Sequence, residues 1–272
     1  MNYATLPPRI QAMQDLQITF LGTGTSHGIP VIGCECAVCK SSDPRDKRLR
    51  TAIHIQMPSL SIAVDTTPDF RAQCLRENIT RLDAVLYTHS HVDHILGFDD
   101  LRRFCELDNK AIPVHGSQRT LSDLKRVFQY AFDGSARYPN YVRPDPITME
   151  GRFSLDGFDI VPVDLPHGRM VTNGLVFEKN GHRLFAYYTD CQSIPAEAEE
   201  AARGVEVLVI DALRHTAHST HLTVQGALEA ARRIGARQTW FIHMCHELGH
   251  AETEAELPTD VRLAYDGLRI HV

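Results

Sequence analysis

The sequence lacks any long hydrophobic run: no stretch of its 272 residues approaches the roughly 20 consecutive apolar residues of a membrane-spanning helix. Residues 1–16 also lack the basic start and apolar run that a secretory signal would have. We therefore expect a cytoplasmic protein with no membrane partner.

The chain also lacks an excess of positive charge. It has 28 Lys and Arg against 34 Asp and Glu, a formal net charge of -6. Broad binding to nucleic acid needs a surplus of positively charged side chains, so this balance argues against such a partner. It does not exclude a local basic pocket. Glycine and proline are neither scarce nor abundant and 43% of the residues are hydrophobic, which excludes a disordered or collagen-like chain.

Cysteines are few and odd in number, at seven, so a disulfide framework is not predicted. Cys34, Cys36 and Cys39 are closely spaced, in a pattern that suits a metal better than disulfides. The other cysteines are expected to be scattered reduced thiols: Cys74, Cys105, Cys191 and Cys245. Histidine, in contrast, is abundant at 15 residues, and several histidines fall in tight clusters.

Apolar runs bounded by turn residues predict strands that alternate in groups with helices. The predicted strands are residues 17–21, 51–57, 60–65, 83–88, 112–115, 158–163, 175–179, 184–188, 205–210 and 238–242, and the predicted helices are 68–77, 99–107, 117–132 and 223–234. Residues 138–146, rich in Pro and aromatic side chains, predict a loop long enough to cover a pocket. With no repeats or linkers, we predict one domain over residues 1–272, with sheets inside and helices outside.

Residues 88–94 (THSHVDH) place four potential metal ligands directly after a buried strand. In an extended segment, His89 and His91 project to the same side. If a helix begins at Asp93, then Asp93 and His94 turn towards a second position nearby. One short loop thus offers ligands to two metals, and the alternative is a solvated histidine-rich turn.

This segment resembles the HxHxDH signature of the metallo-β-lactamase fold. The resemblance implies an α/β (α+β) protein, a four-layer αββα sandwich of two mixed β-sheets flanked by helices. It also implies three more ligands downstream, each at the end of a strand. His167, Asp190 and His243 stand at those places.

The resemblance implies two catalytic divalent cations, zinc or manganese. The ligands of the first are His89, His91 and His167, those of the second are Asp93, His94 and His243, and Asp190 bridges the two. With Asp93, Asp190 and a bridging hydroxide, the pair carries a net charge of about +1, which attracts an anion. A phosphodiester fits, because metals about 3.5 to 4 Å apart hold both the attacking hydroxide and the phosphoryl oxygens.

The three clustered cysteines lack a fourth ligand nearby, whereas closed structural zinc sites have four. Within the same fold, the phosphoribosyl 1,2-cyclic phosphodiesterases resemble this chain in a CxCxxC element completed by a histidine just past the last catalytic ligand. Their strand and Gly-rich turn are similar to residues 21–30 (LGTGTSHGIP). The resemblance, which extends over residues 17–246, implies His246 as the fourth ligand of one structural zinc, with Cys245 as an alternative.

An alkoxide leaving group needs a proton, which a histidine near neutrality can supply. Residues 218–221 (HSTH) hold two candidates before a predicted helix. The resemblance favours His221 as general acid, with His218 second and helix capping as the alternative role. Asp65, at a strand end, is predicted to orient a ligand histidine or to form a turn. Loop residues expected to reach the substrate phosphate are Arg137, Tyr138, Arg143 and Arg169.

We therefore predict a metal-dependent phosphodiesterase for a small anionic substrate such as a phosphoribosyl 1,2-cyclic phosphate, with Asp93, Asp190 and His221 as catalytic residues. A tRNase Z-like nuclease is the first alternative. The acidic charge opposes it, as does the lack of a long Gly- and Lys-rich arm between His94 and His167. A lactonase-type hydrolase and a zinc-stabilised binding module are further alternatives. The sequence is also compatible with a homodimer.

Overall fold

The computed structural model describes residues 16–133 and 141–272. Within these residues, two mixed sheets of seven strands each form the centre of the fold. The sheets pack face to face and helices cover both outer faces. The predicted four-layer αββα sandwich is therefore confirmed. That residues 1–272 form a single domain stays a prediction.

The first sheet combines strands from the first half of the chain with the last strand. Its strands are β1 (Gln17–Gly22), β2 (Ala52–Gln56), β3 (Ser61–Val64), β4 (Ala84–Leu86), β5 (Ile112–Gly116), β6 (Pro144–Thr148) and β14 (Arg269–His271). In space they follow the order β14-β1-β2-β3-β4-β5-β6. Pairs from β14 to β3 are antiparallel and those from β3 to β6 are parallel. Each parallel pair is joined by a helical crossover, as parallel strands require.

The second sheet comes from the second half of the chain. Its strands are β7 (Phe153–Leu155), β8 (Phe158–His167), β9 (Met170–Lys179), β10 (His182–Tyr188), β11 (Val207–Asp211), β12 (Gln238–Ile242) and β13 (Val261–Leu263). Their order in space is β13-β12-β11-β10-β9-β8-β7, antiparallel from β7 to β10 and parallel from β10 to β13. An Asn180-Gly181 turn joins β9 and β10, and both residues have positive φ as a tight hairpin requires.

Short helices connect the strands. They are α1 (Ala37–Lys40), α2 (Phe70–Glu77), α3 (Val92–Ile95), α4 (Arg102–Leu107), α5 (Gln118–Val127), α6 (Gln129–Phe132), α7 (Ala196–Ala201), α8 (Val224–Ile234) and α9 (His250–Glu256), with 3-10 turns at Pro44–Asp46 and Phe98–Leu101. The helix predicted from residue 223 is α8, which begins after Thr223 because the Thr223 side chain accepts a hydrogen bond from the Gly226 amide. No helix in the described ranges is long and apolar enough to cross a membrane.

Two of the predicted elements are wrong in part. The helix expected over residues 117–132 is broken at Phe128, whose φ of -111° and ψ of 41° lie outside the helical region. Phe128 is buried and stacks on Phe98 at 4.7 Å, so tertiary packing overrides the helical pattern. The loop expected over residues 138–146 is wrong at its end, because β6 begins at Pro144 and pairs with β5. A sheet edge tolerates the prolines of β6.

Alternation along the strands divides the core into three layers. Between the sheets, side chains from both meet, as in the contact of Phe20 with Trp240 at 6.2 Å between ring centroids. A second layer packs β8 to β13 against α7 and α8, and a third packs the first sheet against α2, α4 and α5. Because every central strand is covered on both faces, the ends of the strands are the positions open to polar side chains.

Candidate metal centre

The candidate site lies at one edge of the sandwich, where strands of both sheets end. His89 and His91 follow β4, His167 is the last residue of β8, and Asp190 and His243 come just after β10 and β12. The strands β8, β10 and β12 run in the same direction, so their carboxyl ends meet at this edge. The sequence prediction that these residues stand at strand ends is correct.

The histidine-rich loop has the predicted change of conformation. His91 is extended, with φ of -64° and ψ of 150°, and α3 begins directly after it. The rings of His89 and His91 therefore lie together, with centroids 4.7 Å apart. Asp93 and His94 lie in the first turn of α3 and are buried, which directs both into the site.

The first group of potential ligands consists of His89, His91, His167 and Asp190. One ligand atom from each lies within 4.8 Å of all the others. The two nearest nitrogens, Nε2 of His167 and Nδ1 of His91, are 3.2 Å apart. Two nitrogens that bind one tetrahedral zinc at about 2.0 to 2.1 Å lie roughly 3.3 to 3.4 Å from each other, so this separation fits a shared cation.

The second group consists of Asp93, His94, Asp190 and His243, again with ligand atoms within 4.8 Å. An oxygen of Asp190 lies 3.3 Å from Nε2 of His94, and its other oxygen lies 3.4 Å from Nε2 of His243. Asp190 belongs to both groups, as a bridging carboxylate would. The structure thus brings together all seven residues in the arrangement that the resemblance implies, and their binding of cations stays a prediction.

Hydrogen bonds on the far side of the rings hold two of the histidines in one orientation. His94 donates from Nδ1 to Asp65 at 2.7 Å, which is where the sequence analysis expected Asp65 to act. Thr88 donates to the same carboxylate at 2.8 Å and accepts from Nδ1 of His89 at 3.0 Å. A single buried carboxylate therefore fixes both rings, and in each ring Nε2 is left to face the site.

Most of the ring nitrogens that face the site have no hydrogen-bond partner in the described part of the chain. His167 donates from Nδ1 to the carbonyl of Thr220 at 2.9 Å, so its Nε2 also faces the site. Within the described part of the chain, Nε2 of His89, His94 and His243 is buried and has no hydrogen-bond partner. Unpaired buried nitrogens of this kind cost stability, and a cation bound between them would use their lone pairs. The residues present therefore fit divalent metal ions.

The electrostatics of the buried groups are consistent with a cation site. Burial lowers the pKa of His89 well below its usual value, which keeps the ring in the neutral form that binds metal. Burial would raise the pKa of Asp190, but the charges of His243 and His94 outweigh it and hold that pKa well below the usual range. Burial would lower the pKa of His94, but the carboxylates of Asp190 and Asp93 raise it well above the usual value. The same negative field attracts a metal ion.

Three residues at the strand ends have left-handed backbone conformations that non-glycine residues seldom adopt. The φ angles are 67° at Asp65, 51° at Asp190 and 59° at His243. Each such residue costs of order 1 kcal/mol and persists only where the surroundings enforce it. At all three positions the backbone turn aims a metal-facing or metal-orienting side chain into the site.

The candidate acid His221 lies beside the second ligand group. Its ring stacks on His243 with centroids 4.6 Å apart, and its Nδ1 donates to Asp211 at 2.7 Å. Burial would lower the pKa of His221, but the charge and hydrogen bond of Asp211 raise it to about 9. The Asp211 carboxylate therefore favours the protonated form of this ring. The alternative, His218, is exposed and accepts a hydrogen bond from the Thr220 amide instead.

Asp211 is the functional residue that the sequence analysis missed. It is fully buried at the end of β11, and besides His221 it accepts a hydrogen bond from the amide of Cys191 at 3.1 Å. Its second oxygen lies 4.0 Å from Nδ1 of His243. A signal was present, because Asp211 ends an apolar strand just as Asp65 does. Sequence alone did not show that residues 211 and 221 meet.

The three cysteines and His246 form a separate cluster. Sγ of Cys34, Cys36 and Cys39 lies 3.1, 3.6 and 3.7 Å from Nδ1 of His246. The amide of Cys39 hydrogen-bonds to Cys36, and chiefly for this reason the pKa of Cys36 falls to about 6, which favours the metal-binding thiolate. Cys245 is not part of the group, so the geometry favours His246 as the fourth ligand of a structural zinc.

A pocket of about 450 Å³ opens beside the two groups of potential metal ligands, and residues from several strand ends and loops line it. They include Ser26, His91, His167, Arg169 and His221. Arg169 therefore lines the pocket, and its contact with a substrate phosphate stays a prediction. Arg143 is not among the lining residues, since its guanidinium donates to the carbonyl of Cys105 at 2.6 Å. Arg137 and Tyr138 lie outside the described residues.

Comparisons with known proteins agree with this geometry. A family model described as "Beta-lactamase superfamily domain" matches residues 61–244. An octanoyltransferase from Porphyromonas gingivalis is 35% identical over 258 residues, which are 93% of this chain and 51% of that protein. The chain thus spans about half the length of this relative.

Two solved structures are also similar. A diphosphatase of the PhnP family has a TM-score of 0.86 and 40% identity, over 94% of this chain and 98% of that chain. Zinc-bound PqqB from Methylobacterium extorquens has a TM-score of 0.74 over 94% of this chain and 100% of that chain. Its identity of 19% carries the fold alone.

The cysteine cluster and the catalytic group share one short segment, because His243 and His246 are three residues apart. We expect Cys36→Ser to abolish one bound zinc and to weaken metal binding at the catalytic group about 10-fold, since His243 loses part of its support. The loss is partial because Thr23 and Thr25 also hydrogen-bond to the backbone of Met244. Elemental analysis after dialysis measures both effects.

The control for this prediction is Cys245→Ser, which removes a neighbouring thiol that is outside the cluster. This variant should keep the full metal content. Unchanged catalytic metal in Cys36→Ser would contradict the coupling between the two sites.

Asp211 sets the protonation of His221, so Asp211→Asn should change how activity depends on pH. For an alkyl diester, kcat/KM of the wild type should fall as pH rises through about 9, where His221 loses its proton. Without the carboxylate, the decline should move to or below the ordinary histidine value of about 6.5. Rate profiles against pH test this, with a nitrophenyl diester as control because its leaving group needs no proton. Identical alkyl profiles in both proteins would refute the role of Asp211.

Proposed function

Since the chain belongs to the β-lactamase superfamily, we propose that this metallo-β-lactamase fold hydrolase is a phosphodiesterase. The 40% identical diphosphatase supports chemistry at phosphorus at the level of the family. The observation that carries the proposal is the pairing of His221 with Asp211 beside two groups of metal ligands. This arrangement suits a reaction in which an anion is attacked and a poor leaving group is protonated.

The proposed cofactors are two catalytic cations, zinc or manganese, and one structural zinc. When bound, the catalytic pair would activate a water molecule and neutralise charge on the phosphoryl oxygens. Their ligands are the seven residues of the two groups described above, with Asp190 shared. Asp65 and Thr88 keep the rings in the required tautomer, and burial of the ligands excludes bulk water.

The leaving group determines what His221 must do. As water oxygen bonds to phosphorus, the bond from phosphorus to the leaving oxygen breaks, and that oxygen takes the proton from Nε2 of His221. The Asp211 carboxylate holds Nδ1 and stabilises the protonated ring beforehand. An alkoxide needs this proton, so the pair favours esters of an alcohol such as a ribose. A small phosphoribosyl cyclic phosphate remains our proposed substrate.

A diphosphate is the second candidate, because one similar structure at 40% identity is named a diphosphatase. A phosphate leaving group departs as an anion with little need of a proton, so His221 would matter less for this substrate. A tRNase Z-like nuclease and a lactonase are the remaining alternatives. The net charge of -6 opposes a large nucleic acid substrate.

A panel of substrates tests the proposed function. We expect the purified protein to bind three metal ions per chain by elemental analysis and to cleave bis(4-nitrophenyl) phosphate and cyclic ribose phosphates. Neither a lactone nor tRNA should be hydrolysed at a comparable kcat/KM. The proposal would be overturned if the protein cleaved the lactone but no diester, or if it cleaved tRNA but no small diester.

The acid role of His221 predicts that the damage done by His221→Ala depends on the leaving group. The variant should lose about 10²- to 10⁴-fold in kcat on an alkyl diester and under ~10-fold on a nitrophenyl diester, whose leaving group is stable without a proton. His218→Ala is the matched control and should leave both rates within a few-fold. Equal losses of kcat on both diesters in His221→Ala would argue against His221 as the general acid. If the only substrate cleaved were a diphosphate and His221→Ala lost little activity on it, the second candidate function, a diphosphatase, would be favoured.

A further inference from the structure

Arg169 lies at the tip of the long β8–β9 hairpin, beside the candidate active site. His167 pairs with Met170, which leaves Gly168 and Arg169 as a two-residue turn. The φ of Gly168 is 62°, and Arg169 is not among the residues with positive φ, the pattern of a tight hairpin turn with glycine first. Because His167 ends the same strand, the Arg169 backbone lies two residues from a candidate metal ligand.

The turn is held in place from two sides. The amide of Gly168 donates to the side chain of Gln192 at 3.0 Å. A Cβ added to Gly168 would lie only 2.8 Å from Cγ2 of Thr220, so the turn packs tightly against the loop that carries His221. The turn is therefore a rigid support for the side chain that follows it.

The guanidinium of Arg169 is exposed, and no hydrogen bond or ion pair to it occurs within residues 16–133 and 141–272. Other exposed arginines pair with carboxylates, as Arg203 does with Glu200 at 2.7 Å. The pocket that Arg169 lines has no other arginine or lysine among its lining residues. An unpaired cation at the mouth of an anion-attracting pocket is available to a ligand.

The side of the pocket on which Arg169 lies is defined by its contacts. The rings of His167 and His221 are 4.8 Å apart, and Gly168 touches Thr220, the residue before His221. Arg169 is thus on the same side as the candidate acid. In an in-line displacement, the acid stands next to the leaving oxygen, so Arg169 faces the leaving alcohol.

We propose that Arg169 binds an anionic group carried by the leaving alcohol of the substrate. The phosphoribosyl substrate proposed above already carries such a group, a phosphomonoester on the ribose beyond the scissile phosphate. The new element is the residue that recognises this group, and a carboxylate in the same place would be bound in the same way. This inference rests on the proposed function and adds the chemistry of the leaving side. A guanidinium forms two parallel hydrogen bonds with either anion, which a neutral side chain cannot replace.

Two chromogenic diesters test the proposal: methyl 4-nitrophenyl phosphate and methyl 3-carboxy-4-nitrophenyl phosphate, which differ by a carboxylate on the leaving group. The metal-loaded wild type, Arg169→Gln and Arg232→Gln are compared. Arg232 is an exposed arginine on α8 outside the pocket lining, so its variant controls for loss of one charge. We expect Arg169→Gln to lower kcat/KM for the carboxylated diester about 5-fold through KM. The deciding quantity is the ratio of kcat/KM for the carboxylated diester to that for the other diester, which should fall about 5-fold in Arg169→Gln and stay unchanged in Arg232→Gln.

Calorimetry on the same three proteins provides a measurement independent of turnover. The dissociation constant of the carboxylated diester should rise about 5-fold in Arg169→Gln only. Equal changes for both diesters, or the same change in Arg232→Gln, would overturn the assignment of Arg169. If the wild type cleaves neither diester, the proposed function fails, and the dissociation constants still decide whether Arg169 recognises the anion.

Discussion

The site depends on unsatisfied lone pairs that converge at one edge of a sandwich. Nε2 atoms of His89, His94 and His243 are buried among carboxylates without hydrogen-bond partners in the described ranges. Leaving such atoms buried and unpaired destabilises a fold unless a ligand uses them. The packing of the two sheets stabilises the fold enough to offset this cost. The polar groups lie at the strand ends, because no further backbone hydrogen bonds of the sheet continue there.

Residues behind the ligand histidines orient those lone pairs through hydrogen bonds to the other ring nitrogens. Asp65 holds His94 directly and His89 through Thr88, and the Thr220 carbonyl holds His167. Thr220 also precedes the candidate acid His221. The segment that fixes a ligand in the first group therefore positions the proton donor, so the geometry of metal binding and that of leaving-group protonation are mechanically linked.

Much of the site could be predicted because ligand chemistry is local in sequence. The four potential ligands of residues 88–94 lie in a strand end that is followed directly by a helical turn. Alternation along an extended chain already places His89 and His91 on one side. The cysteine trio is likewise local. Asp211 and the break at Phe128 were not predicted, since each depends on a contact with a distant residue: His221 in one case and Phe98 in the other. The sequence offered Arg169 as one of four loop residues for the substrate phosphate, and only the fold placed it in the pocket.

The sequence by itself determined the spacing of the ligand types in residues 88–94 and the acidic balance of the chain, because these follow from residue identity. The ligands at the later strand ends, His167, Asp190 and His243, came from the family resemblance. Only the tertiary structure decided which of these side chains lie within reach of one another, which histidine meets the Asp211 carboxylate and on which side Arg169 lies. Those relations join residues far apart in the chain through the register of two packed sheets. A one-residue slip of a strand would turn the same side chains to the opposite face, and no local pattern records it.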